Sequence, residues 1–108
     1  MEEYLQVITT TEMPDDARRI ARTLVEKRLA ACAQVIGPLH STYWWQDKVE
    51  EAQEYLCLIK TRRDRFEQVA AAIRAVHPYE VPEILAVPVA AGSRDYLAWL
   101  DAAIGAAP

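Results

Sequence analysis

The sequence predicts an α+β domain built as a split β-α-β plait, and three observations carry that prediction. Hydrophobic periodicity switches between strand-like and helical along the chain in the order β-α-β-β-α-β, with one more helix at the end. A turn signal, Gln46-Asp47-Lys48, separates two β-rich arms that each run for about twelve residues, twice the usual strand length. Prolines fall in the second and fourth strands, at Pro38 and Pro88, where a sheet order of 4-1-3-2 puts the edges and a missing N–H breaks no ladder. A doubly wound parallel sheet is the rival architecture. The tight turn between consecutive strands argues against it, because parallel neighbours need a long crossover.

The first strand is read from Tyr4-Leu5-Gln6-Val7-Ile8-Thr9-Thr10, rich in β-branched and aromatic residues. Pro14, Asp15 and Asp16 open a helix, since proline suits the first turn and acids complement its positive end. Ala17, Ile20, Ala21 and Leu24 fall on one face of it, while Arg18, Arg19, Arg22 and Glu26 lie mostly elsewhere. The second strand starts near Ala33, bends or bulges at Gly37-Pro38 and runs on to Tyr43-Trp44-Trp45. The third returns over residues 49–61. Each arm of this hairpin spans roughly 40 Å at strand rise, so it overhangs so small a domain and its tip aromatics need a partner.

A helix over residues 62–76 follows, with Phe66, Val69, Ala70 and Ile73 inward. It stops at His77-Pro78-Tyr79-Glu80-Val81-Pro82-Glu83-Ile84, where two prolines hold an imidazole, a phenol and two carboxylates on a stiff connection. Such a pinned polar loop is either a binding site or a plain helix stop before a strand over residues 83–89. A last helix over residues 93–104 presents Tyr96, Leu97, Trp99 and Leu100. The whole is a ferredoxin-like plait with an antiparallel sheet and a long hairpin, occupying residues 1–108 as one domain.

At 108 residues, 52% hydrophobic and 26% charged, the chain is of globular composition and long enough to bury roughly 65% of its unfolded surface. Its net charge of −4 is spread without a basic run, which excludes nucleic acid and an anionic membrane as main partners. No apolar segment approaches the roughly 18 residues of a membrane span, and Met1-Glu2-Glu3 has no basic start, so a cytoplasmic protein is expected. Cys32 and Cys57 sit in apolar runs without a CxxC partner and are expected to be buried free thiols. An enzyme is not expected. There is no glycine-rich phosphate loop among three glycines, no His-Glu-x-x-His and no nucleophile elbow.

Assembly is also written in the pattern. In the third strand Tyr55, Cys57 and Ile59 point one way and Leu56 and Leu58 the other, and the fourth strand is apolar on both faces. Two helices cover only one sheet face, so other copies of the chain are expected on the second.

Leu29-Ala30-Ala31-Cys32-Ala33, the hairpin from Tyr43 to Glu50 with Glu54 and Lys60-Thr61 behind it, His77-Pro78-Tyr79 with Pro82-Glu83, and Tyr96-Leu97-Ala98-Trp99-Leu100 together resemble the CutA family of divalent-cation tolerance proteins. The resemblance covers nearly the whole chain in order. It implies a ferredoxin-like subunit in a compact homotrimer, similar in architecture to the PII signalling proteins, with hairpins crossing between subunits. It also implies a link to copper, since in copper-binding members a cysteine can close the first strand and a second histidine can precede the one here. This chain has Thr9 and Val76 at those places and keeps His77 alone of that set.

His77 with Glu80 and Glu83 is the candidate set for Cu(II) or another divalent ion, with the alternative of a hydrogen-bonded interface histidine. Cys32 is the reachable thiolate, if one is. Further ligand candidates are Tyr79, Thr9 with Thr10 and Thr11 at the end of the first strand, Lys60 with Arg62 as anion holders, and Tyr96 with Trp99 as a stacking platform. Each has a plainer role as helix cap, solvated charge or core stripe. Tyr43, Trp44 and Trp45, with Tyr55 and Cys57, are the expected oligomer interface. The expected function is a trimeric protein of metal homeostasis that takes a metal or small metabolite in a cleft near His77, Tyr79 and Glu83. The alternative is a mainly structural, PII-like signalling trimer that takes a metabolite or a protein partner and has no specific metal site.

Overall fold

Four strands and three helices follow one another as β1 (Tyr4–Thr11), α1 (Pro14–Glu26), β2 (Cys32–Trp45), β3 (Lys48–Arg62), α2 (Phe66–Val76), β4 (Leu85–Pro88) and α3 (Arg94–Ile104), with a 3-10 turn at Arg63–Arg65. The structure is a computed structural model and describes residues 3–106. The strands form one antiparallel sheet in the order β2-β3-β1-β4. This is the predicted ferredoxin-like plait, with the proline-bearing strands β2 and β4 at its edges. Among the described residues no helix is long and apolar enough to cross a membrane.

Strand alternation decides what the two β-α-β helices cover. Leu5, Val7 and Thr9 of β1 face α1 and α2, opposite Thr61, Ile59 and Cys57 of β3. Val7, Ile59, Ile20, Val69 and Ile73 are fully buried together with Leu24 and Cys57. Each such aliphatic side chain contributes about 1.5–3 kcal/mol on leaving water. Pro14 and the acids Asp15 and Asp16 open α1 as expected. The helix ends with Arg28 at φ 57°, and the Leu29 and Ala30 N–H groups donate back to the Leu24 carbonyl at 2.9 and 3.2 Å, a left-handed cap.

Two boundaries differ from the sequence reading. β3 runs on to Arg62 because Tyr4 pairs with it and the Arg63 N–H donates to the Glu3 carbonyl at 2.7 Å. The second helix therefore starts at Phe66 rather than at residue 62. β4 holds only four residues, Leu85–Pro88, paired with Ile8 to Leu5 of β1, which leaves Glu83 and Ile84 in the loop. Gly37-Pro38 is the expected bulge: Ile36 pairs with Leu56, but Leu39 with Glu54, so β2 carries one extra residue. The Gly37-Pro38 bond is cis. A Cβ on Gly37 would meet the Tyr55 ring at 2.5 Å, so no larger residue fits there unless the ring moves.

Beyond the Thr11–Tyr55 pair, residues 39–45 and 48–54 pair as strands only with each other among the described residues. This overhang adds about 23 Å at strand rise and makes the chain 44 Å long against 25 and 22 Å across. Gln46 and Asp47, at φ 50° and 63°, form the two-residue turn whose twist suits a hairpin. On the sheet face away from α1 and α2, Ile36, Leu85 and Val87 are 51%, 58% and 47% exposed. Helix α3 covers only one end of that face, packing Leu100 and Ile104 on Ala31 and Tyr4. The last turn of α3 has no basic residue. Arg28 donates instead to the Ala103 carbonyl and Arg62 to that of Gly105, each at 2.7 Å, and Arg65 donates to that of Ala106.

Candidate functional site

The loop after α2 is built as its prolines require. His77 is extended at φ −76° and ψ 133°, and its N–H closes the helix on the Ile73 carbonyl at 2.8 Å. The His77 ring turns inward and is 9% exposed. Its Nε2 lies 2.8 Å from the Thr10 carbonyl, and the Tyr79 N–H lies 3.1 Å from its Nδ1. A carbonyl only accepts and an amide N–H only donates, so Nε2 carries the proton and Nδ1 spends its lone pair on Tyr79. Neither nitrogen keeps a lone pair for a metal in this arrangement.

Tyr79 continues the chain of contacts outward. Its ring sits 4.8 Å from that of His77, tilted by 55°, and its hydroxyl donates to Glu54 Oε2 at 2.6 Å. Burial, then the bond to Glu54, push the Tyr79 phenol well above its ordinary value. Glu54 is itself 5% exposed. Burial, then the charge of Glu54, raise the Glu83 carboxyl, so these two acids feel each other across a shared space.

That space is a cleft of about 650 Å³ between the hairpin overhang and the loop at 79–83. Tyr43, Trp44, Trp45 and Tyr79 supply aromatic walls, Glu54, Glu80 and Glu83 carboxylates, and Thr10, Ser41 and Thr42 hydroxyls. No basic side chain is among its lining residues. Register puts Thr10, Glu54, Ser41, Tyr43 and Trp45 on the face of the sheet that α1 and α2 leave open.

The sequence candidates divide among several places. Glu80, Glu83, Tyr79, Tyr43, Trp44 and Trp45 line the cleft, whereas His77 stands behind Tyr79 and braces it. Among the described residues no three His, Cys, Asp or Glu side chains converge as metal ligands. Thr9 is fully buried on the helix side, its Oγ1 without a partner among the described residues. Cys32 and Lys60 pair across β2 and β3, and Lys60 donates to Gln34 at 2.7 Å. Tyr96 lies beside Cys32, where burial and then the thiol raise its phenol, and its ring is 5.4 Å from that of Trp99. This second group lies four residues along the strands from Thr10, about 13 Å at strand rise. Cys57 belongs to the core, where burial pushes its thiol up to about 11, and Tyr55 packs beside Gly37. Both cysteines are free thiols.

Glu54 is the cleft residue that sequence reasoning passed over as a site. The signal was there: a carboxylate takes the next place in the alternating apolar stripe of Leu58 and Leu56. Thr10 was a pocket candidate with Thr9 and Thr11 and does line the cleft, whereas Ser41 and Thr42 carry no such mark, because hydroxyl residues are ordinary in strands.

Comparison with known proteins agrees along the whole fold. A family model described as CutA1 divalent ion tolerance protein matches residues 5–103. The divalent-cation tolerance protein CutA of Thermus thermophilus is 48% identical over 100 residues, spanning 93% of this chain and 95% of that one. A solved structure of the divalent cation tolerance protein from Thermus thermophilus superposes with a TM-score of 0.88 at 46% identity, covering 90% of this chain and 94% of that one. CutA from Xylella fastidiosa does so with 0.92 at 37% identity, covering 95% and 99%. The chain belongs to the CutA family of divalent-cation tolerance proteins.

Proposed function

We propose that the chain serves divalent-cation tolerance as a homotrimer that binds a small ligand in the cleft beneath its hairpin, with His77 as the brace of that cleft. The observation that carries this reading is the double engagement of the His77 ring, by the Thr10 carbonyl and the Tyr79 N–H, beside an open cleft walled by aromatics and acids. Assembly is supported by the exposed Ile36, Leu85 and Val87 and by the overhang, which is long enough to lie across a neighbouring subunit. In a trimer of the PII-like kind the cleft lies between subunits, and Trp44, 73% exposed, meets its cover there. The free thiols Cys32 and Cys57 are in keeping with the cytoplasm, where such thiols stay reduced.

A second reading keeps the metal at the same cleft. Glu54, Glu80 and Glu83 face a space without a basic partner, and carboxylates brought together from several copies hold Cu(II) or another divalent ion weakly. One native mass-spectrometric titration with Cu(II) and then Zn(II) separates the readings. The ligand-cleft reading expects a trimer that gains metal only gradually, and equally so in His77→Ala. A stoichiometric step lost in Glu83→Gln but kept in His77→Ala establishes the carboxylate metal site instead. A stoichiometric step lost in His77→Ala overturns the role of His77 as a brace, and a monomer overturns the assembly.

A further inference from the structure

We propose that the cleft beneath the hairpin binds a small organic cation, an alkylammonium compound, with its charge between Glu54 and Glu83 and its hydrocarbon against the aromatic walls. This deepens the proposed function and rests on its reading of the cleft as the ligand site. Charge complementarity comes first, because three carboxylates and no basic side chain line the space. Glu54 is 5% exposed, with Oε2 accepting from Tyr79. A largely buried carboxylate that borders an open cleft is stabilised most by an ionised donor placed against it.

The walls then select the kind of cation. Tyr43, Trp45 and Tyr79 offer aromatic faces, whose negative quadrupoles attract an ammonium group and whose apolar surface takes its methylenes. A bare metal ion makes poor use of such walls. It needs several ligands converging on one point, and among the described residues no such group exists. The volume of about 650 Å³ is that of a small-molecule site. Thr10, Ser41 and Thr42 add hydroxyl acceptors for the three N–H donors of an ammonium. The Glu83 carboxyl, raised by burial and then by the charge of Glu54, is consistent with a pair of acids that a bound cation would relieve.

The test is calorimetry with tryptophan fluorescence on the purified full chain, using diaminobutane, tetramethylammonium and, as uncharged control, butanediol. The expected result is saturable binding of the diamine with a change in tryptophan emission, weakened by salt and absent for the diol. Glu83→Gln and Glu54→Gln each weaken it by about tenfold or more, while Lys60→Ala leaves it unchanged. Glu83 is the exposed member of the pair, so its variant keeps the test open if Glu54→Gln fails to fold. Equal binding of diol and diamine, or an affinity unaltered in Glu83→Gln, overturns the proposal. So does the absence of a saturable signal, including the case in which a lysine of a neighbouring copy already fills the cleft. If the same sample is a trimer by native mass spectrometry, such a failure removes the organic cation and leaves the trimer standing. A monomer removes the proposed function beneath it.

Discussion

The two faces of the sheet are made by the same four strands, yet one is closed and the other open. Toward α1 and α2, Val7, Cys57 and Ile59 are fully buried. On the opposite face Ile36, Leu85 and Val87 are about half exposed, and α3 shelters only the end near Ala31 and Tyr4. Both faces are apolar, so the difference does not lie in the strands. It lies in what the chain has left to cover them with, since β-α-β connections place their helices on one side. The closed face therefore owes its stability to the fold of the single chain, and the open face, which carries the cleft, is the one that the proposed assembly would cover.

Truncation on the closed side is the strongest way to sharpen this contrast. Ile59→Ala is expected to cost about 2–5 kcal/mol in denaturant unfolding, because the packed layer collapses only partly into the cavity. On the open side, Leu85→Glu is expected to leave the far-ultraviolet circular dichroism unchanged. It should shift the mass by light scattering towards that of a single chain, since a charge costs about 2 kcal/mol or more per subunit once covered. If Leu85→Glu unfolds the chain as Ile59→Ala does, the two faces are not independent.

Tyr79→Phe probes the contact that links the loop to the overhang. Losing the hydroxyl leaves Glu54 buried without its donor, with an expected cost of about 1–3 kcal/mol in thermal or denaturant melts. Glu83 provides a pH signature. Its folded carboxyl titrates above the ordinary value of about 4.3 because burial and Glu54 disfavour the anion. The folded state therefore holds the proton where the unfolded state has lost it. The stabilising contribution is complete below the unfolded value and is lost as pH rises through the folded one. Glu83→Gln should therefore melt higher than the parent chain near neutrality and show a flatter profile upward from about pH 4. The smallest effect is expected at Thr9→Val, which removes a buried hydroxyl that has no partner among the described residues at nearly constant volume. It should be neutral or stabilise by about 1 kcal/mol, and a large loss would reveal a partner for that hydroxyl.

Much of this architecture was legible before any coordinates, and for local reasons. Period-2 and period-3.6 patterns act within a few residues, so the strands, the inner faces of α1 and α2 and the open apolar face could be read directly from positions such as Val7, Ile20 and Leu56. Pro38 and Pro88 marked the sheet edges because a missing N–H acts at its own position, and Gln46-Asp47 marked the turn because its conformation is local too. The extension of β3 through Arg62 was not legible, since it depends on Tyr4 pairing across the sheet. The site was legible only in part. The loop around Tyr79 and Glu83 stood out as pinned and polar, but Glu54 meets Tyr79 across 25 positions, and His77 reaches Thr10 across 67.

By itself, then, the sequence determined the order of elements, the edges, the hairpin and the membership in a family, all properties of short stretches or of their order. Only the tertiary structure decided that the His77 ring is consumed by two backbone groups, that Glu54 belongs to the site, and that Arg28, Arg62 and Arg65 cap α3 from a distance. The physical reason is common to all three. Hydrogen-bond partners depend on which strands and loops come to lie within about 3 Å of each other. That proximity is set by register and packing across the sheet, which no single stretch of the chain contains.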